Sequence, residues 1–408
     1  MSFEKISLRL DAFRNDMVNF QVKLASIPAI APASGGEGEA KKAKFLVKYL
    51  QENGFQDIEV IKAQDLDAPS GFRPNIMAYY RGKSSAKTIW VMTHTDVVPP
   101  GELSLWKGDP FRPWIEAGKI YGRGVEDNQQ DMVASIFAVK AFQALKIKPN
   151  YDVGLALVAD EETGSSKGID YVLHHSKAFR HKDLILVPDA GNEDGTLIEV
   201  AEKSILWLKF KTLGKQAHGS MPEKGINSFK AASFFITELD NLYRIYPHND
   251  PLFDPPISTF EPTKKEANVP NINTIPGDDI FYMDSRILPV YKVEDVEAKI
   301  KELAARIEAK FKVKITMEEQ QKAPAAPPTP AKAAVVTALE KAIKRVYGKE
   351  GKAMGIGGGT VAAIFRRKGF EAACWSRIDE TAHQPNEYCI IDNMVGDAKV
   401  FAHIFLQE

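Results

Sequence analysis

The stretch Thr93-His94-Thr95-Asp96 ends the apolar run Thr88-Ile89-Trp90-Val91-Met92 and delivers two polar side chains out of a strand that must be buried. Side chains alternate along a strand, so His94 and Asp96 leave one face together while Thr95 points away. A metal-bound imidazole usually gives its other ring N–H to a carboxylate, which fixes its tautomer and angle. His94 as ligand with Asp96 behind it fits that geometry, although a surface ion pair or a satisfied turn explains the pair taken alone. More acids follow at the ends of further apolar runs: Asp160-Glu161-Glu162 after 153–159, and Asp189 after 184–187. Two adjacent carboxylates at a buried strand end repel unless a cation meets at least one of them. Because neighbours point differently, one of Glu161 and Glu162 can bind metal while the other holds a water.

Asp127 closes the turn Tyr121-Gly122-Arg123-Gly124-Val125-Glu126 ahead of a helix expected from about 130, where helix capping accounts for an aspartate as well as a metal does. His383, in Glu380-Thr381-Ala382-His383-Gln384-Pro385-Asn386-Glu387, adds a second imidazole. Neither glycine-rich run is a nucleotide loop. Asp127 occupies the third glycine position of a dinucleotide fingerprint, and Gly355-Ile356-Gly357-Gly358-Gly359-Thr360 lacks the lysine of a phosphate loop. The second run still offers backbone N–H groups ahead of a helix, where a developing oxyanion can be held. Two Zn2+ ions against Asp127, Glu162 and Asp189 leave one positive charge, which a single hydroxide neutralises. Nitrogen and carboxylate donors without thiolate suit zinc, with cobalt or manganese as alternatives, and a pair about 3.5 Å apart polarises a carbonyl and acidifies water together.

The elements that must position these residues alternate. Helical spacing over 10–24 and 41–50 flanks the loop Pro32-Ala33-Ser34-Gly35-Gly36. Strands are expected at 58–61, 76–80, 89–92, 153–159 and 184–187, with helices at 132–145 and 169–174. Near-continuous apolar strands alternating with helices predict an α/β fold, a mostly parallel mixed sheet covered by helices on both sides. Ligands of such sheets sit at the carboxyl ends of the strands, which is where His94, the Asp160 cluster and Asp189 stand. From about 204 the order becomes strand 205–210, helix 228–243, strands 257–260 and 280–287, helix 293–311 and strand 313–317, a ferredoxin-like α+β unit. The proline-rich run 323–330 cannot continue a helix or an interior strand and reads as the connection back. Residues 1–203 and 321–408 then form a catalytic domain, with 204–320 inserted as a lid or dimerisation domain. Helix 333–347, helix 361–367, strand 372–375 and a final helix after 393 complete the first domain.

Lysine plus arginine (53) nearly cancel aspartate plus glutamate (54), so no global field draws nucleic acid or an anionic membrane. Two cysteines, Cys374 and Cys389, are too few for a disulfide framework and read as a reducing, cytoplasmic setting. The N-terminus has no apolar stretch of a secretory signal, and no apolar run approaches the roughly 18 residues of a membrane span. A soluble protein is expected.

His94-Thr95-Asp96, Gly122-Arg123-Gly124 through Asp127, Asp160-Glu161-Glu162-Thr163-Gly164-Ser165, Asp189, Ala217-His218-Gly219-Ser220-Met221-Pro222 and Thr381-Ala382-His383-Gln384-Pro385-Asn386-Glu387 resemble, in order, the motifs of the dinuclear zinc family of aminoacylase, acetylornithine deacetylase, succinyl-diaminopimelate desuccinylase and carboxypeptidase G. The resemblance spans essentially the whole chain. It implies a zinc-exopeptidase-like fold with His94 and Asp189 on one zinc, Glu162 and His383 on the other, and Asp127 bridging, often with a cis peptide after it. Glu161 matches the general base, which would take a proton from a metal-bridging water and return it to the leaving amine, and Asp96 matches the residue supporting His94. His218 matches a lid histidine that in relatives reaches a neighbouring subunit's site, which implies a homodimer. Arg286 matches a lid arginine that takes a substrate carboxylate, a role its planar fork suits. Asn273 and Gly358-Gly359-Thr360 match substrate-contact segments. Departures are Asn128-Gln129-Gln130-Asp131, where the family often has Lys-Gly after the bridging aspartate, and Val361-Ala362 after Thr360. Aspartate at 189, where desuccinylases carry glutamate, leans toward peptidases and aminoacylases. The function implied is hydrolysis of an N-acyl amino acid or short peptide with a free carboxylate. A desuccinylase-type deacylase, a single-zinc hydrolase and a non-catalytic binding protein that kept the fold are the alternatives.

Overall fold

The computed structural model describes residues 2–407. An eight-stranded sheet runs in the order Gln56–Gln64, Phe72–Tyr80, Tyr151–Val158, Ser84–His94, Leu184–Val187, Ala372–Cys374, Leu197–Glu202, Lys352–Ile356. Its four middle strands are mutually parallel, and the pairs outside them on the Gln56–Gln64 side are antiparallel. The middle strands are buried on both faces. Ile89, Trp90 and Val91 are fully enclosed, as are Leu155, Ala156 and Leu157, which is why these strands read as unbroken apolar runs rather than alternating ones. Helix Gln129–Ala144 is buried nearly all round, from Met132 to Phe142, so its apolar face is not a stripe but most of its circumference.

The chain forms two compact units: residues 1–200, 329–353 and 360–408, and residues 201–328 with 354–359. The second unit holds a four-stranded antiparallel sheet in the order Thr259–Lys265, Asp278–Ile287, Ser204–Leu213, Lys314–Ala323. Alternate burial along Asp278–Ile287 leaves one face for helices Ser228–Leu239 and Val293–Phe311, and Phe210, Phe235, Phe281, Met283, Ile300 and Leu303 close the core between them. This is the ferredoxin-like arrangement.

Several details differ from expectation, among them the helical run 10–24, which is interrupted at Phe13 between Ser2–Ala12 and Arg14–Ala25, and the unexpected strands Leu197–Glu202 and Lys352–Ile356. The helix expected over 228–243 is two, Ser228–Leu239 and Asn241–Ile245, because Asn241 turns its side-chain amide onto the Glu238 carbonyl at 3.0 Å, competing with the backbone pattern. The strand expected at 257–260 begins at Thr259 and continues to Lys265, with a register shift between Pro262 and Lys264; proline has no N–H for the ladder. A small sheet of Trp114–Glu116, Lys119–Tyr121 and Tyr388–Ile390 was not anticipated. Its strands of three residues carry no readable period, yet pairing Tyr388 with Tyr121 fastens the segment after His383 to the turn that carries Asp127.

Candidate active site

The ends of the parallel strands place the acids. Ser84–His94 terminates at His94, Tyr151–Val158 leads into Asp160-Glu161-Glu162, and Leu184–Val187 leads through Pro188 to Asp189. His94 Nε2 lies 2.8 Å from Asp127 Oδ1 and 3.4 Å from Asp189 Oδ1. His383 Nε2 lies 3.2 Å from the other Asp127 oxygen, Oδ2, and 3.1 Å from Glu162 Oε2. Asp127 therefore divides its two oxygens between two imidazoles. Donor atoms of His94, Asp127 and Glu162 fall within 4.8 Å of one another, as do those of His94, Glu161 and Asp189. His94, Asp127, Glu161, Glu162, Asp189 and His383 thus meet in the first unit, where Thr360 also lies; His218, Asn273, Arg286, Gly358 and Gly359 belong to the second.

Neighbouring residues hold these strand-end side chains, some of them more than one at a time. The His94 ring is fixed through Nδ1 by the main-chain carbonyl of Asp96 at 3.0 Å, whereas the Asp96 carboxylate stands off at 3.7 Å. Asp96 thus stands behind the ring as expected, meeting Nδ1 with its main-chain oxygen first and its carboxylate farther off. The Asp96 carboxylate instead accepts the backbone N–H groups of Glu161 and Glu162 at 3.1 and 3.0 Å. It is buried and presents the two glutamates. Asp160 adopts a left-handed conformation (φ 63°) and accepts from Lys167 N at 2.8 Å and from Arg73 at 3.3 Å, while Arg73 is also gripped by Glu39. The peptide between Asp127 and Asn128 is cis. Asn128 accepts the His94 N–H at 3.3 Å and donates to Asp189 Oδ1 at 3.2 Å and to the Pro188 carbonyl.

Two further carboxylates organise the turns. Glu387 accepts the N–H groups of Gly124, Glu126 and Asp127 and pairs with buried Arg123 at 2.6 Å. Glu126 accepts Asp379 N at 2.8 Å together with the Thr381 N–H and hydroxyl, so the two turns hold each other. Both residues stand inside motifs singled out from sequence, but nothing in spacing alone assigns them this reciprocal task. In the second unit His218 is exposed, its Nδ1 2.8 Å from Ser220 Oγ. Asn273 is exposed as well and gives its carbonyl to Gly219 N. Arg286 forks onto Asp284 at 2.7 and 3.0 Å and donates to the Gly357 carbonyl at 2.8 Å.

The electrostatics follow from crowding. Burial pushes the Glu161 carboxyl well above its ordinary range, and the negative charge of Asp189 adds to the rise. Burial raises Glu162 as well, against a hydrogen bond from His383. His383 is pushed up to about 10 by its hydrogen bonds to Asp127 and Glu162. Burial alone would lower His94, but Asp127 and Asp189 outweigh it and the ring is held well above its ordinary value. Carboxylates that bear on one another so strongly, drawn to two imidazoles with no thiol among them, are a donor set for hard or borderline divalent cations.

Placed at the carboxyl ends of parallel strands, such a donor set defines a metal-dependent hydrolase of the α/β kind. The chain belongs to the peptidase family M20/M25/M40, whose model matches residues 90–407. It is 41% identical to a metallohydrolase of Methanococcus maripaludis over 96% of this chain and 98% of that one. It is 31% identical to a succinyl-diaminopimelate desuccinylase of Buchnera aphidicola over 64% of this chain and 66% of that relative. Human carnosine dipeptidase 1 shares the fold with a TM-score of 0.76 at 18% identity, covering 100% of this chain and 98% of its own.

Proposed function

We propose that this enzyme hydrolyses the amide bond of an N-acyl amino acid or short peptide bearing a free carboxylate, with Glu161 as the proton-transfer group. The observation that carries this reading is the sharing of Asp127 between His94 and His383. His94 with Asp189 and His383 with Glu162, bridged by Asp127, would hold two divalent cations, zinc by donor type with cobalt or manganese able to replace it, which when bound polarise a carbonyl and acidify water. Glu161 has the raised affinity for protons that a base working near neutrality needs. It takes a proton from the attacking water; the water oxygen bonds to the carbonyl carbon, the C–N bond breaks, and Glu161 gives the proton to the leaving nitrogen. Asp96 keeps Glu161 and Glu162 in place through their backbone N–H groups.

His218 is assigned to the developing oxyanion, supplied across a homodimer of the second unit, where Phe229 and Phe234 are exposed on helix Ser228–Leu239. Arg286 is assigned to the substrate carboxylate, with Asn273, Gly358, Gly359 and Thr360 as further contacts. A desuccinylase-type deacylase is the second reading, favoured by the relative of that name. The two buried cysteines accord with a cytoplasmic setting, and no helix among the described residues is long and apolar enough to cross a membrane.

The test is cation stoichiometry by mass spectrometry, followed by a panel of N-acyl amino acids, succinylated amino acids and dipeptides assayed with zinc or cobalt. Glu161→Gln should retain the cations and lose about 100-fold or more of kcat. Two bound cations with no hydrolysis anywhere on the panel would refute the proposal, and an unchanged biological phenotype in Glu161→Gln would favour a binding protein.

A further inference from the structure

Residues 376 and 377 lie where three segments bearing proposed ligands meet. On one side runs the loop that carries Asp189: Trp375 N donates to the Val187 carbonyl at 3.3 Å, and a Cβ on Gly191 would overlap the Ser376 carbonyl. On the other side stands the first turn of helix Gln129–Ala144, which follows Asp127 and Asn128 directly. Gln130 Nε2 donates to the Arg377 carbonyl at 3.0 Å and to Asp397 Oδ2 at 2.8 Å. The Ser376 hydroxyl donates to Asp131 Oδ2 at 2.6 Å, and the Arg377 N–H donates to Asp397. The same stretch of chain then continues to His383.

Beyond this clamp the chain enters a loop in which Glu380, His383 and Asn386 all take left-handed conformations, with φ of 57°, 63° and 60°. Residues other than glycine keep such angles only where their surroundings fix them. Glu126 accepts the N–H groups of Asp379 and Thr381, and Glu387 fastens the far end to Gly124 N. Gln130 and Asp131 supply the near end. Both side chains are buried, and Gln130 Oε1 and Asp131 Oδ1 have no partner among the described residues. An enclosed polar group that is incompletely satisfied costs stability that an apolar residue of the same size would not. Neither residue is among the proposed cation ligands, so what offsets that cost is the placement of residues 376–377.

We propose that Gln130 and Asp131 are positioning residues of this site: they pin residues 376–377 to the start of the helix after Asp127, and so fix where the loops carrying His383 and Asp189 stand relative to Asp127. The proposal rests on the hydrolytic reading above. Hydrogen bonds that orient the ligands of a metal site are worth about 10–100-fold in its affinity, and displacement of reacting groups by about 1 Å costs about 100-fold in rate.

The test uses the full chain. Gln130→Met keeps the length and removes both donated bonds, Ser376→Ala removes the hydroxyl that Asp131 holds, and Asp131→Asn keeps an oxygen for that hydroxyl. The readouts are Co2+ affinity with its visible spectrum, deuterium exchange over 376–387 in the metal-free protein, and kcat and KM on whichever panel substrate the parent cleaves. Gln130→Met and Ser376→Ala should each bind cobalt about tenfold or more weakly, with a shifted spectrum and faster exchange over 376–387. Their kcat should fall about tenfold with KM changed less than about threefold, while Asp131→Asn stays within about threefold of the parent throughout. Parent-like affinity and exchange in folded Gln130→Met or Ser376→Ala would overturn the proposal. A defect in Asp131→Asn as large as that in Ser376→Ala would do the same, since charge and not the hydrogen bond would then be at work. So would failure of both Gln130→Met and Ser376→Ala to fold, or an equal loss of cobalt affinity in Phe235→Ala, which empties the second unit's core and reports general destabilisation. A parent that binds no cobalt or cleaves no panel substrate would refute the hydrolytic reading, and exchange over 376–387, read without metal, would still decide whether the two residues place that stretch.

Discussion

Asp397 offers the sharpest quantitative test of the packing beneath the site. It is fully buried in helix Ile391–Leu406, accepts from Gln130 Nε2 at 2.8 Å and from the Tyr347 hydroxyl at 3.0 Å, and is pushed up from 3.8 to about 7, burial being the main cause. Asp131, hydrogen-bonded by Ser376 at 2.6 Å, is raised as well, by burial and then by the charge of Asp397. A carboxyl whose proton affinity is higher folded than unfolded contributes stability that is complete below pH 3.8 and is lost as pH rises through about 7. At 1.36 kcal/mol per pH unit the loss reaches about 4 kcal/mol by pH 8. Asp397→Asn removes that loss but presents an NH2 to one of the groups that donate to the carboxylate, at about 1–2 kcal/mol. The variant should therefore be more stable than the parent by on the order of 2 kcal/mol at pH 8, a rise of several degrees in melting midpoint, with the advantage vanishing near pH 5. Thermal melts of the two proteins, both stripped of metal, at the two pH values decide it. An equal difference at both pH values, or an advantage that grows toward acid, would refute the assignment of Asp397 as a carboxyl that resists ionisation.

Further outcomes follow from particular contacts. Asn128→Ala removes the side chain shared by His94 N and Asp189 and should weaken divalent-cation binding about 10–100-fold, measured by competition with a chelating dye. Gly154→Ala puts a Cβ 2.3 Å from the Trp90 ring in the sheet centre; crowding of that kind costs about 1–3 kcal/mol, read as a lower melting midpoint. Phe235→Ala empties the middle of the second unit's core and should lower stability by about 3–5 kcal/mol in denaturant titration, with cation stoichiometry of the first unit unchanged.

What the sequence discloses is what has a period or an interruption. The doubly buried strands are legible because they are unbroken, and the polar residues at their ends, His94, Glu161, Glu162 and Asp189, are legible because they interrupt. The ferredoxin-like unit is legible from the order of its elements, strand, helix, two strands, helix and strand. Choices made over long sequence separations have no such trace. That Glu387 would gather the amides of Gly124, Glu126 and Asp127, or that Glu39 would clamp Arg73 beneath Asp160, is decided by tertiary packing. The same holds for His94: its face is set by the pleat, but the approach of the Asp96 main-chain oxygen to Nδ1 at 3.0 Å, inside the carboxylate at 3.7 Å, is a matter of local turn geometry.

His383 and Glu387 join the Asp127 turn through the three-residue strand Tyr388–Ile390 and the hydrogen bonds of Glu387 and Glu126, and the whole of 201–328 is made before them. On the ribosome, then, His94 and Asp189 emerge long before the second imidazole exists, and helix Ile391–Leu406 has still to dock against Gln129–Ala144. Closure of this kind, with Asp127 and Glu387 separated by 260 residues, is slow because loop entropy is lost before the contact forms. The proposed ligand set is accordingly complete only once residues beyond His383 have been added.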